Sequence, residues 1–156
     1  MTLLSEYAGA LRELLQGRTV SASGRYVTLD GVGLTWPPQA VPPVLVGAVG
    51  PRTLTLAGAV GDGVILTGET AVEQVPEAVR RVRAGRADAG RADAEPEVVV
   101  FVPVADRPAA AEVAGLVGRY AEAGASTVAL LSVGDRAPSL AEFARFAGHE
   151  VQPLLG

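Results

Sequence analysis

VLVGAVGPRTL, residues 44–54, carries the chain from a short apolar run through two glycines into a segment that begins with proline. Pro51 suits the first position of a helix, because its φ is already helical and its missing N–H is not needed there. A short apolar run that leads through a turn into a helix is typical of a strand buried on both faces of a parallel sheet. The stretch therefore predicts one strand–turn–helix unit of an α/β fold.

The same alternation continues along the chain. Apolar runs predict strands at residues 44–46, 64–66, 98–104 and 128–131. Helical patterns follow them at residues 51–60, 71–84, 109–123 and 139–147. This β-α-β-α-β-α-β-α order predicts a parallel sheet with right-handed crossovers.

The first forty residues follow a different pattern. Apolar residues at helical spacing predict an N-terminal helix that ends at Gly17, namely Leu4, Tyr7, Leu11, Leu14 and Leu15. Two short segments rich in β-branched residues, separated by Ser23-Gly24, then predict a small hairpin. A proline-rich connector from Trp36 onward leads into the first strand. We expect a single domain over 1–156, in which 1–40 form the helix, hairpin and connector and 41–156 form four β/α units.

Composition limits what the chain can be. It has 156 residues, of which 49% are hydrophobic and 19% charged, so a disordered chain is excluded. Its net charge of −4 argues against binding to nucleic acid or to a membrane surface, and no apolar run is long enough to span a membrane. The first residues lack the pattern of a signal peptide, so we expect a cytoplasmic protein.

Side-chain chemistry is sparse. The chain has no cysteine and a single histidine, His149, which we expect at the surface. No Ser-His-Asp set and no cluster of metal ligands appears, so no metal site is predicted and redox chemistry would need a cofactor. The repeated AGRAD at 84–88 and 89–93 is interpreted as a solvated loop lengthened by duplication.

The turn between the first strand and its helix is the candidate binding site. Free N–H groups and the helix dipole favour an anion there, and Arg52 and Thr53 add a cation and a hydroxyl. The site comprises Gly47, Gly50, Pro51, Arg52 and Thr53, with Thr67 as a second donor at the end of the next strand. A β-branched residue at position 50 is expected to obstruct both the turn and the approach of a phosphate. An ordinary tight turn explains the same residues, and the stretch 58–63 is interpreted as structural.

Several of these stretches together resemble the luciferase-like monooxygenase family, and its deazaflavin-dependent actinobacterial branch in particular. The matching elements are Glu6-Tyr7, Leu11-Arg12, Pro42-Pro43-Val44, Gly47-x-x-Gly50-Pro51, Leu56-Ala57-Gly58, Gly61-Asp62-Gly63-Val64-Ile65-Leu66 and the closing Glu150-Val151-x-Pro153-Leu154-Leu155. They cover nearly the whole chain. The family's complete barrel is about twice this length, and the match begins at the helix before its fifth strand.

The resemblance implies a (β/α)4 half of a TIM-type barrel that carries an N-terminal helix and a small β-hairpin. It implies a flavin- or deazaflavin-dependent oxidoreductase acting on a small molecule, with FMN or the deazaflavin coenzyme F420 as cofactor. The turn at Gly47–Thr53 would hold the phosphate side of that cofactor. The alternative is a non-catalytic half-barrel that serves as a binding or assembly module.

An isolated half-barrel has two open edges and an uncovered inner face. We expect this face to include Val44, Val46, Ile65, Val100, Val102 and Leu130. Its exposure predicts a homodimer, or a complex with a chain that supplies the missing half. The strands could pair edge to edge into a closed barrel, or the N-terminal helix could cover an open sheet.

Overall fold

The structure is a computed structural model that describes residues 2–105, 108–135 and 137–156. It begins with helix α1, Thr2–Leu15, as the spacing of its leucines predicts. Strands β1, Val20–Ser23, and β2, Thr28–Val32, form the predicted antiparallel hairpin. The Glu6 carboxylate of α1 accepts the N–H groups of Arg25, Tyr26 and Val27 in the hairpin turn. The helix thereby holds the hairpin through one side chain.

The rest of the chain alternates strands and helices. The strands are β3, Leu45–Gly47; β4, Gly63–Leu66; β5, Glu97–Ala105; and β6, Thr127–Val133. The helices are α2, Pro51–Val60; α3, Val75–Asp88; α4, Ala110–Glu122; and α5, Leu140–Arg145. A 3-10 turn, Val72–Gln74, precedes α3. A π-helix, Phe146–Val151, and a 3-10 turn, Gln152–Leu154, follow α5.

The four strands form one parallel sheet in the order β3-β4-β5-β6. Chain order and sheet order are therefore the same, so each β-α-β crossover joins neighbouring strands. Between β5 and β6 the register pairs Val99 with Thr127 and Ala105 with Val133. These observations confirm the predicted α/β class with its four β/α units, N-terminal helix and hairpin.

Contacts within the chain divide it into two compact units. The first comprises Met1–Val64 and Arg81–Pro96, and the second comprises Ile65–Arg80 and Glu97–Gly156. The expectation of a single domain over 1–156 stays a prediction.

Two glycines bring α2 and α3 into close contact within the first unit. A Cβ on Gly58 would overlap the carbonyl oxygen of Val82, and a Cβ on Gly85 would overlap that of Thr55. Side chains of any size are therefore excluded from this crossing, and the helix backbones approach closely. Gly85 belongs to the first AGRAD copy, so that copy has a packing role.

The first AGRAD copy is not the solvated loop that the sequence predicts, whereas the second copy is such a loop, with four of its five residues exposed. The first copy ends α3, and its Arg86 is only 5% exposed. The Arg86 guanidinium donates to the carbonyl oxygens of Ala94, at 3.0 Å, and Gly61, at 3.3 Å. Arg91 of the second copy donates to the same Gly61 oxygen at 2.7 Å. The repeat suggested a loop without a structural role, whereas the arginine of each copy donates hydrogen bonds to backbone carbonyl oxygens.

The second unit packs one face of its strands against helices. Its core joins Val104 of β5 to Val113, Ala114, Phe143 and Val151, and Leu130 of β6 packs against this cluster. The even-numbered residues of β5 from Val98 to Val104 are buried, because they face this side. The opposite face is more open: Pro103 and Ala105 are exposed, and Leu131 is 40% exposed.

The predicted inner face is therefore wrong for several residues. Val46, Val100 and Val102 are buried within the chain, and Leu130 belongs to the helix-covered side. Successive side chains of a strand point to opposite faces of the sheet. An assignment of the inner face that is shifted by one residue therefore names the residues of the opposite face. Phe101, Pro103 and Leu131 occupy the more exposed face of β5 and β6 instead.

Candidate functional site

The candidate site begins where β3 ends and α2 starts. Gly47 closes β3, the chain turns through Ala48 and Val49, and Pro51 occupies the first turn of α2. No side chain of the described residues caps this end of the helix. The first-turn N–H groups of a helix lack acceptors within the helix itself. This end of α2 therefore offers free donors and the positive end of a helix dipole.

The two glycines of the turn leave open space. A Cβ built on Gly47 meets no atom of the described residues within 4 Å, and one on Gly50 meets only Thr53 Oγ1 at 3.5 Å. Gly50 has φ −78° and ψ 152°, an extended conformation that any residue can adopt. Glycine is thus not required by the backbone here, and the expected obstruction of the turn by a larger residue is wrong. What remains is room for a ligand to approach.

The side chains of the turn differ in availability. The Thr53 hydroxyl donates to the Gly50 carbonyl oxygen at 2.8 Å, and the Leu54 N–H donates to the same oxygen at 2.9 Å. The hydroxyl proton is consequently committed to the backbone. Arg52 is exposed, and within the described part of the chain it has no ion-pair partner. Of the two predicted side-chain donors, Arg52 is the available one.

Thr67, the remaining predicted residue, follows β4 and belongs to the second unit. It is exposed, and its carbonyl oxygen accepts the Thr70 N–H at 3.0 Å, which closes a turn. The structure thus brings Gly47, Gly50, Pro51, Arg52 and Thr53 together in one turn. Thr67 stands in a separate turn of its own.

At its carboxyl end, α2 is followed by a cluster of charged residues around Asp62. Its carboxylate accepts the Val44 N–H at 2.8 Å and guanidinium groups of Arg12 at 2.6 Å and Arg91 at 2.7 Å. Burial raises the pKa of Asp62, but the hydrogen bond from Val44 and the charge of Arg12 outweigh it and leave the pKa below its ordinary value. Asp62 therefore joins α1, the residue before β3 and the second AGRAD copy, which supports the structural interpretation of 58–63.

The Asp62 cluster contains the residues that sequence reasoning missed. The sequence interpretation placed Arg86 and Arg91 in a solvated loop. Both donate to the carbonyl oxygen of Gly61, which lies more than twenty residues earlier in the chain. A backbone acceptor leaves no signature in the sequence. The one available signal was that each AGRAD copy keeps its arginine.

The described residues offer little proton-transfer chemistry. His149 is exposed, as predicted, and lies in the π-helix. Among residues 2–105, 108–135 and 137–156 no group of His, Asp or Glu side chains could hold a metal ion. No helix in the same ranges is long and apolar enough to cross a membrane.

A cleft of about 450 Å³ lies in the second unit, and its lining includes none of the residues predicted for the site. Phe143 and Phe146 form part of its wall, and Glu142, Arg145 and Glu150 line it as well. Because its charges are of both signs, the cleft does not single out a phosphate as its ligand.

Comparison with known proteins agrees with the resemblance in the sequence. Residues 1–153 match the family described as luciferase-like monooxygenase. A 5,10-methylenetetrahydromethanopterin reductase of Methanolobus tindarius is 32% identical over 101 residues, which are 65% of this chain and 30% of that protein. The reductase of the same description from Archaeoglobus fulgidus is 28% identical over 130 residues, which are 81% of this chain and 39% of that protein. The matched residues thus span 30% and 39% of the length of these curated relatives.

Solved structures show the fold more completely. An F420-dependent secondary alcohol dehydrogenase, solved with an F420-acetone adduct, superposes with a TM-score of 0.81 at 18% identity, covering 97% of this chain and 61% of that one. The coenzyme F420-dependent tetrahydromethanopterin reductase of Methanopyrus kandleri superposes with a TM-score of 0.78 at 17% identity, covering 99% and 63%. The sheet and helices of this chain thus have the arrangement found in part of these enzymes, which confirms the predicted likeness to a TIM-type barrel. By the match over residues 1–153, the chain belongs to the luciferase-like monooxygenase family.

Proposed function

We propose that the chain is a module of an F420-dependent oxidoreductase, and that the amino end of α2 holds the phosphate side of the coenzyme. The observation that carries the proposal is the open, uncapped turn before α2. A phosphate there would meet free N–H groups, no intervening Cβ at Gly47 or Gly50, and the Arg52 guanidinium, which has no ion-pair partner among the described residues. Thr67 is proposed as a second donor.

The residues of this turn fit a phosphate in chemistry as well as in space. The N–H groups and the guanidinium are donors only, which suits an anion. Pro51 fixes the start of the helix, so the donors are held in place before the ligand arrives. The coenzyme, when bound, supplies hydride transfer to or from a small-molecule substrate. The described side chains bind and orient it.

Relatives guide the choice of coenzyme. Three are described as dependent on F420: the two enzymes of known structure and a hydroxymycolic acid dehydrogenase of Mycobacterium tuberculosis, which is 42% identical over 53 residues. These 53 residues are 34% of this chain and 15% of that protein. FMN is the competing cofactor that the family resemblance allows.

Titration of the purified protein with F420 and with FMN tests the proposal. Arg52→Ala removes one charge-assisted hydrogen bond, so we expect the affinity for F420 to fall by roughly ten- to a hundredfold. Arg119→Ala, which removes another exposed arginine far along the chain, is the matched control and should leave the affinity unchanged. Equal affinities of wild type and Arg52→Ala would refute the assignment of the site. Tighter binding of FMN would refute the assignment of the coenzyme.

A non-catalytic binding module is the second candidate function. It is favoured by the sparse proton-transfer chemistry of the described residues, whose one histidine, His149, is exposed. Absence of binding to either coenzyme by the wild-type protein would leave only this candidate.

We further propose that the open face of β5 and β6 is covered in solution by a second copy of the chain, or by a chain that supplies the rest of the barrel. Phe101 is half-buried, and Pro103 and Leu131 are exposed, which leaves apolar surface in contact with water. Light scattering over a wide concentration range should show a dimer of the purified protein, and Leu131→Arg should dissociate it. The proposal would be contradicted if the wild-type protein stayed a monodisperse monomer at every concentration and also failed to bind a chain that supplies the rest of the barrel.

A further inference from the structure

The turn that follows β4 is held from three sides within the second unit. Inside the turn, the Thr70 N–H donates to the Thr67 carbonyl oxygen at 3.0 Å. Gly68 lies against β5, where a Cβ would come within 3.0 Å of Pro103 Cδ and 3.2 Å of the Phe101 carbonyl oxygen. The third contact comes from α4. Together they fix a turn whose first residue, Thr67, remains exposed.

Tyr120 makes the contact from α4. It is 7% exposed, and its hydroxyl donates to the Thr70 carbonyl oxygen at 2.8 Å across fifty residues of sequence. Packing alone would be served equally well by phenylalanine at this position. The buried hydroxyl adds a directional bond to a loop that ends a strand of the sheet.

Thr70 shows how much this bond matters. The residue is 6% exposed, and its own hydroxyl has no hydrogen-bond partner within the described part of the chain. Since this hydroxyl makes no hydrogen bond there, the hydrogen bonds that fix Thr70 are those of its backbone. Removing the Tyr120 hydroxyl would take away the one hydrogen-bond partner of the Thr70 carbonyl oxygen within the described residues, and leaving a buried acceptor unpaired is costly.

We propose that Tyr120 is a positioning residue for the cofactor site, because it fixes the Thr67–Thr70 turn and so holds Thr67 where a ligand can meet it. The inference rests on the proposed function, in which Thr67 is a donor to the coenzyme. Ligands of parallel α/β proteins bind at the carboxyl ends of the strands, and this turn follows the carboxyl end of β4. Tyr120 itself is buried and acts only through the turn.

A double-mutant cycle separates this role from a plain contribution to stability. Tyr120→Phe should weaken F420 binding about three- to tenfold, the effect of one neutral hydrogen bond. Thr67→Val removes the proposed donor. The double variant, Thr67→Val with Tyr120→Phe, should bind F420 less than twofold more weakly than Thr67→Val alone. A residue that contributes only to stability would instead give effects that multiply. Tyr7→Phe, an exposed tyrosine of α1, is the matched control and should change nothing.

Hydrogen exchange supplies a readout that does not depend on the coenzyme. The Thr70 N–H is bonded within the turn, so its exchange should be slow in the wild type and in Tyr7→Phe, and at least tenfold faster in Tyr120→Phe.

The outcomes distinguish the two proposals. If the wild type binds F420 but the effects of Tyr120→Phe and Thr67→Val on affinity multiply, the role of Tyr120 is overturned and the proposed function stands. The same holds if the wild type binds F420 but Tyr120→Phe leaves the exchange of the Thr70 N–H unchanged. No binding by wild type overturns the proposed function, and the cofactor role of Tyr120 with it.

Discussion

At the amino end of α2 the glycines face open space, whereas at its carboxyl end they lie against backbone atoms. A Cβ on Gly47 would meet nothing among the described residues, but one on Gly58 would overlap the Val82 carbonyl oxygen. On Gly61 a Cβ would lie 2.9 Å from the Ala57 oxygen and 3.0 Å from the Val44 oxygen. Glycine at one end thus permits close packing of the chain on itself, and at the other it leaves the chain accessible. The comparison teaches that glycine content alone does not identify a ligand site.

The largest expected effect is at the packed end. Gly58→Ala places a methyl group on the Val82 carbonyl oxygen, so α2 and α3 must separate, and we expect the free energy of unfolding to fall by about 3 kcal/mol. For a chain of this size that lowers Tm by about 6–12 °C. Gly115→Ala on α4, where a Cβ has open space around it among the described residues, is the control and should raise Tm slightly, because alanine favours helix. If the two variants melt alike, the helices do not cross as closely as described.

Asp62→Asn should have the next largest effect. It removes the charge that Arg12 and Arg91 share and weakens the acceptor of the Val44 N–H, so unfolding becomes easier by about 2 kcal/mol. Thermal melts of the variant and the wild type at neutral pH measure this loss. Asp30→Asn, at an exposed position in the hairpin, is the matched control and should melt like the wild type.

The effect of Asp62→Asn should depend on pH. Since the pKa of Asp62 is lowered on folding, its contribution is complete above the unfolded pKa of about 3.9 and is lost as pH falls through the folded value. The Tm difference between wild type and variant should therefore shrink below about pH 4. A constant difference from pH 7 to pH 3 would show that the carboxylate charge does not contribute.

At the open end, Gly50→Val should separate binding from stability. The extended backbone of Gly50 accepts a β-branched residue, so we expect the free energy of unfolding to stay within about 0.5 kcal/mol of the wild type. The added side chain occupies the space that a phosphate needs, so the affinity for F420 should fall at least about tenfold. A large drop in Tm with unchanged affinity would reverse the assignment of the two ends.

The smallest expected effect is that of Gly47→Ala on stability. A Cβ there contacts none of the described residues, so Tm should change by no more than about 2 °C. Chemical denaturation of the two proteins side by side measures the difference. A loss above about 1 kcal/mol would mean that the amino end of α2 is packed like the carboxyl end.

The sequence predicts local structure well here because local residues determine it. Helix α2 begins at Pro51 and ends before Gly61, and both residues are visible signals. The face of each strand could not be predicted, since residues 98–104 are apolar on both sides and no alternation marks the buried one. The turn between β3 and α2 could be predicted, but the hydrogen bond of the Thr53 hydroxyl and that of Tyr120 depend on contacts that only the fold reveals.

The two AGRAD copies have the same sequence but different structures, because the first ends a helix and the second forms a turn at Gly90, where φ is 68°. Tandem copies of this kind are gained and lost in whole units when DNA replication slips. Loss of residues 89–93 would leave Asp62 with one guanidinium instead of two and the Gly61 carbonyl oxygen with only the longer bond from Arg86. A change of repeat number in the gene would therefore alter the link that Asp62 makes between Arg12 of α1 and Val44, far from the repeat itself in the chain.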